Sequence, residues 1–398
     1  MLLAGAAAVD VTPPIGVDLQ GYVSRAHGAE GILDPLMFRC VVCESGTERW
    51  ALLAADLISF ENEDADRIRT AAAQALGKER AAVSLVGTHT HSGPALLRLR
   101  GFGEVPPGYV DQLAAAAGRA VSMALERLQA VTAVTVSGSA AFAVNRRRPQ
   151  PDGSIALAPY PHGPVDPTVT VTLLRPAAEG RGEAGPPVAI LANYACHPVT
   201  LGVNYHISAD FPGVYARAVE AVFPGTVAFY LNGASGDINP IGMGDPAYTR
   251  RCGLELAGEV IRLVGRGAAA ASEPAVLAVS EDVVTLPLDE LPPRSLLEEE
   301  LRRCEARIAA AGSPSDGSVR GSIAVREWAQ GCLAEWDGHG AVPHRTEACM
   351  QAVRLGHAAF AFVPGELFVE LGLHIRRQSP ARHTHVVGYA NGWVGYLP

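Results

Sequence analysis

The sequence predicts an α/β (α+β) protein with mixed β-sheets and flanking helices, and three observations predict it. Apolar strand-like runs alternate with amphipathic helical stretches along most of the chain. Hairpin-like and crossover connections both join them, so the sheets are expected to be mixed rather than purely parallel. Several apolar runs also stop abruptly at loops marked by glycine or proline, where sheet proteins gather their polar groups.

The first ten residues, Met-Leu-Leu-Ala-Gly-Ala-Ala-Ala-Val-Asp, have no positive leading segment and pass straight into Val-Thr-Pro-Pro. They read as the first strand of the mature fold rather than a cleaved leader. The apolar run Leu-Met-Phe-Arg-Cys-Val-Val-Cys follows, with Cys40 and Cys43 three residues apart. On a strand that spacing points them to opposite faces, so they read as core thiols and not as one metal grip.

Residues 50–57 form a buried strand, 61–76 a helix, 82–86 a second buried strand and 109–128 an alanine-rich amphipathic helix. Strands are expected at 168–174 and 187–195, joined by a long Gly/Glu/Arg/Pro-rich hairpin loop, and at 227–231. Composition shifts near 265–345, where charged helical segments at 296–311 and 319–336 flank Gly-Ser-Pro-Ser-Asp-Gly. Beyond it come a strand at 358–363, a helix at 367–377 and a last strand at 384–389. The whole reads as one domain over 1–398 with a helical insertion or lid at about 290–340.

A net charge of −9 argues against a nucleic-acid surface, which needs clustered positive charge. The densest basic run, Arg146-Arg147-Arg148, is too short to make one. No apolar run approaches the roughly 18 residues of a membrane-spanning helix. Seven cysteines without scaffold spacing suit a reducing cytoplasm.

Chemistry gathers at four strand ends: Gly-Thr-His89-Thr-His91-Ser-Gly-Pro, Ala-Cys-His197-Pro, Asn-Gly-Ala-Ser-Gly-Asp237-Ile-Asn239-Pro and Val-Pro-Gly-Glu366. His89 and His91, two apart at a strand end, can project toward the same side. Imidazoles suit zinc, and a catalytic zinc takes about three protein ligands and one open position. Glu366 is expected in the first turn of a helix, where a carboxylate is electrostatically favoured. A second His-Thr-His, at 383–385, starts a strand at the end expected to face away, and reads as exposed. Singly, each of these has an ordinary structural explanation.

Together and in this order, Gly-Thr-His-Thr-His-Ser-Gly-Pro, Ala-Cys-His-Pro-Val-Thr and Pro-Gly-Glu-Leu-Phe resemble the neutral/alkaline non-lysosomal ceramidases. Val-Asn145-Arg146, Gly-Pro-Val-Asp-Pro at 163–167, Ser208-Ala-Asp210-Phe-Pro-Gly, Gly236-Asp237 and the 388–396 stretch add to the resemblance. It covers nearly the whole chain outside 265–345. It implies the catalytic-domain fold of that family and one zinc per chain, held by His89, His197, Glu366 and a late tyrosine, Tyr396. It also places His91 and Arg146 on the substrate side.

The implied activity is hydrolysis of an N-acyl, ceramide-like amide, the partner being a small lipid-like molecule. Zinc brings the pKa of bound water toward ~7 and polarises the carbonyl. His91 is expected to serve the oxyanion or the departing amine, Arg146 to add positive charge, and Asp237 to orient water or a ligand. Where better-known ceramidases carry a serine described as catalytic, this chain has Asn239, which cannot act as a nucleophile. Attack by zinc-bound water is therefore expected, with Asn239 as a hydrogen-bonding group. The C-terminal β-sandwich and export signal of the long secreted members are expected to have no counterpart here, the residues given ending soon after Tyr396. These departures leave open a small ester or non-lipid amide as substrate, or a catalytically silent binding protein.

Overall fold

Strand Met37–Ser45 is buried on both faces, with Cys40 and Val42 entering one apolar cluster and Val41 and Cys43 another. That is the two-residue period of a strand lying between two layers, and it parts the two thiols as their spacing predicts. The structure, a computed structural model, describes residues 1–177, 185–268, 276–311, 317–339 and 344–398.

Eight strands form the main sheet, in the order Val227–Asn232, Ala189–Tyr194, Thr168–Pro176, Gln129–Ser139, Leu2–Asp10, Met37–Ser45, Glu48–Ala55 and Val83–Gly87. The outermost pair at each side is parallel and the pairs between are antiparallel, a mixed sheet as expected. Helices cover its outer face. Asn62–Leu76 and Tyr109–Leu125 bury Ile68, Ala72, Leu113 and Ala117 there, and Asp210–Val222 and Pro246–Ala268 bury Phe211, Val219, Leu256 and Val260. A second sheet of Leu277–Pro287, Arg345–Leu355, Ala358–Phe362 and His383–Val387 lies against the inner face. Phe360, Phe362 and Val387 pack there on Trp50, Leu52 and Phe229.

Neighbouring strands twist by roughly 20–25° each, so a wide sheet coils. Here its two edges meet. The Asn232 side chain donates to Thr88 O (3.1 Å), and residues 388–391 bridge the gap: Gly388 N donates to Asn232 O and Asn391 N to Leu85 O. Coiling thus brings together strand ends that are far apart in sheet order.

Several elements were not expected. Strands Gln129–Ser139, Ala143–Pro149, Ile155–Tyr160, Leu277–Pro287 and Arg345–Leu355 are present, as are the helices Asp210–Val222 and Pro246–Ala268. The first of these helices carries Pro212 and Gly213 in its opening turn, where a missing N–H costs no helical bond. The second spends helix propensity on contact. A Cβ at Gly253 would lie 2.5 Å from Val214 Cβ, so glycine lets the two helices approach.

His385 corrects an expectation. It is fully buried rather than exposed, stacks on Phe360 with ring centroids 4.2 Å apart, and meets Thr172 Oγ1 at 2.8 Å. Its strand lies under the main sheet, so the inward residue of His383-Thr-His385 is enclosed whichever end of the strand it occupies.

Helices Arg294–Ala310 and Gly317–Trp336 pair around Leu297, Ala329 and Cys332. Arg320 donates from this hairpin to Ala26 O (3.1 Å). Parts of two expected loops, 178–184 and 312–316, lie outside the described residues.

Candidate metal centre

The buried strand Val83–Gly87 releases the chain at Thr88, and His89 follows with a left-handed backbone (φ 72°). Such a conformation is uncommon for a non-glycine residue. His89 and His91 therefore converge through a loop turn and not through strand alternation. Thr90 between them is tied to Ser208 O (2.8 Å). His89 Nδ1 donates to Ile58 O (2.7 Å), which leaves a lone pair on Nε2.

His197 arrives from strand Ala189–Tyr194, and its backbone N–H is fixed on Ile238 O (3.1 Å). Its Nδ1 donates to Ser235 O (2.6 Å), so Nε2 again carries the lone pair. The loop beyond Pro198 is held by the buried Asp210, itself left-handed (φ 56°), whose carboxylate accepts from Phe211 N, Leu201 N and the Thr200 hydroxyl.

Glu366 does not begin a helix. It lies in a two-residue strand, Glu366–Leu367, paired in parallel with Tyr396–Leu397, and the helix starts at Val369. The backbone N–H groups of Glu366 and Phe368 bond Gly395 O and Leu397 O, and this pairing holds the segment extended through Phe368 (φ −72°, ψ 151°). A Cβ at Gly236 would sit 2.5 Å from Glu366 O, so glycine is what lets the two loops close on each other.

The three segments meet. Glu366 Oε2 lies 3.0 Å from His197 Nε2 and 3.7 Å from His89 Nε2, and His91 Nε2 lies 3.2 Å from His89 Nε2. One nitrogen from each of the three imidazoles falls within 4.8 Å of the others. His197 Nε2 and Glu366 Oε2 are shielded from solvent and have no hydrogen-bond partner. Burial above all, with Arg146 adding to it, holds His89 down to about 3 and His91 and His197 well below the usual histidine range, and neighbouring imidazoles lower His89 and His91 further. Burial raises Glu366. Neutral imidazoles with inward lone pairs beside a carboxylate form a donor set for a divalent cation, and the orphaned atoms fit such an ion.

Around the cluster, Arg146 Nη1 donates to Asn239 Oδ1 (3.2 Å), and Nη2 donates to Gly236 O (2.7 Å) and Tyr396 OH (3.1 Å). Its Nη2 lies 3.7 Å from Glu366 Oε2. Asp237 points elsewhere: Oδ1 accepts from Val369 N and Oδ2 from Asn145 Nδ2, both at 2.8 Å. It braces the start of the helix behind Glu366.

Tyr389 belongs to the same group and was not singled out in the sequence. Fully buried and left-handed (φ 55°), it stacks on His89 at 3.9 Å, and its hydroxyl meets Ser235 Oγ at 2.8 Å. The hydroxyls of Tyr396 and Tyr389 both steady the Glu366 carboxylate. The signal for Tyr389 was its place between Gly388 and Asn391-Gly392, a glycine-marked strand end like the other four.

No protein-family model and no curated protein sequence matches the chain. Solved structures do match. Neutral ceramidase from Pseudomonas aeruginosa aligns with a TM-score of 0.72 at 19% identity, covering 100% of this chain and 68% of that one. A ceramidase complexed with C2 aligns with a TM-score of 0.71 at 20% identity, over 100% and 69% of the two chains. The chain has the neutral ceramidase fold.

Proposed function

We propose that the protein is a zinc-dependent amidohydrolase that cleaves a linear N-acyl amide, ceramide-like or smaller, with one zinc per chain. The convergence of His89, His197 and Glu366, with two solvent-shielded and unpartnered donor atoms among them, carries this reading. The fold shared with two ceramidases supports an amide as the bond class.

In this reading His89, His197 and Glu366 hold the ion, with Tyr396 as a fourth donor. Bound zinc would acidify a water and polarise the scissile carbonyl. The remaining roles fall to the chain's own groups. Arg146, fixed by Asn239 and Gly236 O, offers positive charge to the developing oxyanion. His91, the imidazole of the three with surface exposure, takes the proton released by the attacking water and passes it to the departing amine. Asp237 acts through Asn145 and Val369 as a positioning residue.

Water is the nucleophile. Asn239 has no nucleophilic atom, and the nearby Ser235 hydroxyl is buried against Tyr389 OH. The helical hairpin at 294–336 serves as a lid through its contact with the 20–27 loop. No helix among the described residues is long and apolar enough to cross a membrane. The seven unpaired cysteines accord with a cytoplasmic setting.

The test is metal analysis of the purified protein beside hydrolysis of N-acyl amides of graded chain length. Stoichiometric zinc, with activity lost to a chelator and regained on zinc addition, is expected. A protein that binds no zinc, or that leaves every amide intact, defeats the proposal.

A further inference from the structure

The strand Gln129–Ser139 is only partly enclosed in the main sheet. Leu2–Asp10 pairs with it at residues 129–131 alone, whereas Thr168–Pro176 pairs with residues 131–139. Where the first pairing ends, a cavity of about 460 Å³ opens between this strand, the turn at Leu355 and His357, and the start of His383–Val387. Small-molecule sites take roughly 300–1,000 Å³, so it has the size of one.

Its floor is apolar, with Ala133, Val134 and Leu355 buried there. Its charged lining is of one sign. Arg266, Arg382, His357 and His383 line the cavity, and among the described residues no carboxylate does. In a chain of net charge −9, composition alone does not gather four basic side chains round one space. Like charges held together repel, and the field is felt. Burial first, then Arg382 and His357, hold His383 below the ordinary histidine range.

The framework around these groups is fixed. Arg266 lies at the end of the helix Pro246–Ala268, and Gly267 lets that end close on the sheet, since a Cβ there would lie 2.5 Å from Leu173 Cδ1. Gly267 O accepts from Arg175 Nη1 (3.3 Å). The carboxylate whose charge reaches Arg266, Glu259, is held outside the lining by Arg262 in two hydrogen bonds of 2.7 Å and by Ser139 N (2.9 Å). The helix end itself carries about half a negative charge, which two guanidiniums outweigh. Ser137 Oγ stands 3.4 Å from His383 Nδ1, and the Thr135 hydroxyl lines the same wall.

The cavity is no part of the metal centre. Ala358–Phe362 and His383–Val387 run in parallel, with His357 and His383 at their starts and Glu366 and Tyr389 beyond their ends. Four steps of strand, at about 3.3 Å each, separate one end from the other.

Charge decides the class of ligand. Guanidinium forks match phosphate and carboxylate alike, but a carboxylate brings one negative charge and a phosphomonoester about 1.5 to 2. Two arginines beside two imidazoles suit the more highly charged head, and the apolar floor suits an organic body. We infer that this cavity is a second ligand site, taking a small phosphomonoester whose phosphate lies among Arg266, Arg382 and His383 and whose organic body rests on Ala133, Val134 and Leu355. The site stands whether or not the metal centre cleaves amides.

The experiment titrates the full chain by calorimetry with phenyl phosphate, inorganic phosphate, benzoate and phenol at constant ionic strength, both zinc-loaded and after chelator. Arg266→Gln and Arg382→Gln are titrated alongside, with thermal midpoints recorded. Phenyl phosphate is expected to bind more tightly than the other three, and its binding to survive the chelator. Each variant is expected to weaken it roughly 10-fold, with the midpoint kept because both side chains are exposed. Should one variant melt early, the other decides.

Phenyl phosphate binding that disappears with the chelator and persists in the arginine variants places the phosphate on the metal and overturns the proposal. Benzoate or phenol binding as tightly, or no binding of phenyl phosphate at all, overturns it as well.

Discussion

His197 Nε2 lies 3.0 Å from Glu366 Oε2, and both atoms are buried without a hydrogen-bond partner. The imidazole has committed its proton at Nδ1 to Ser235 O, and an ionised carboxylate only accepts. Two lone pairs facing each other in a buried site repel unless a cation or a proton stands between them.

The first prediction follows from that pair. Removing metal with a chelator should lower the thermal midpoint, and zinc should restore it. An ion that binds only the folded state, present at about a thousand times its dissociation constant, contributes roughly 4 kcal/mol. Calorimetry with and without chelator checks this. His89→Ala and His197→Ala should lose both the response and the bound zinc.

Glu366→Gln should act oppositely on the two forms. A carboxamide is a poorer ligand, so zinc affinity should fall at least about 10-fold. In the metal-free protein, however, the new N–H can donate to His197 Nε2 and relieve the facing lone pairs. Metal-free Glu366→Gln should therefore be more stable than the metal-free native chain by about 1 kcal/mol. Paired melts in chelator decide the matter, and an equal or lower midpoint counts against a metal-starved site.

Gly21→Ala should be costly for a residue so small. The added methyl meets the His91 ring and must adopt a left-handed backbone. Overpacking and strain of this kind cost roughly 1–3 kcal/mol. The 20–27 loop is expected to move off His91, lowering kcat/KM more than it lowers the midpoint. Thermal melts and steady-state rates on the best amide measure the two separately.

Acid should weaken the fold through His385. Burial holds this imidazole down to about 3, whereas in an unfolded chain it titrates near ~6.5. Between those values the unfolded state binds the extra proton, so stability is complete above ~6.5 and falls as the pH drops toward 3. One such group contributes a slope of at most about 1.4 kcal/mol per pH unit. His385→Gln keeps a reach toward Thr172 and removes the titration, so its stability should depend less steeply on pH. Denaturant melts from pH ~7 to ~4.5 check the difference.

Much of this was legible in the residues. The strand ends at Gly87, Tyr194, Asn232 and Phe362 were readable because apolar runs broke at glycine or proline, and all four lead into the site. Harder to see were the strands with partly exposed faces, such as Gln129–Ser139 and Leu277–Pro287. The helix Pro246–Ala268 was hidden too, because it carries several glycines, one of which, Gly253, serves the approach of a neighbouring helix rather than its own propensity. Tyr389 was passed over for Tyr396 because linear order cannot say which of two tyrosines turns inward. The structure gives Tyr389 the closed position and leaves Tyr396 half-exposed.

By itself the sequence determined which residues have metal-binding chemistry and that each sits where a buried strand must surface. Those are local facts, settled by side-chain type and by the need to solvate polar backbone at a strand's end. Whether His89, His197 and Glu366 share one point in space was decided by the coiling of an eight-stranded sheet until its edges met. Twist accumulates strand by strand and has no signature in any short stretch of residues, so only the tertiary structure could place the lone pairs of His197 and Glu366 face to face.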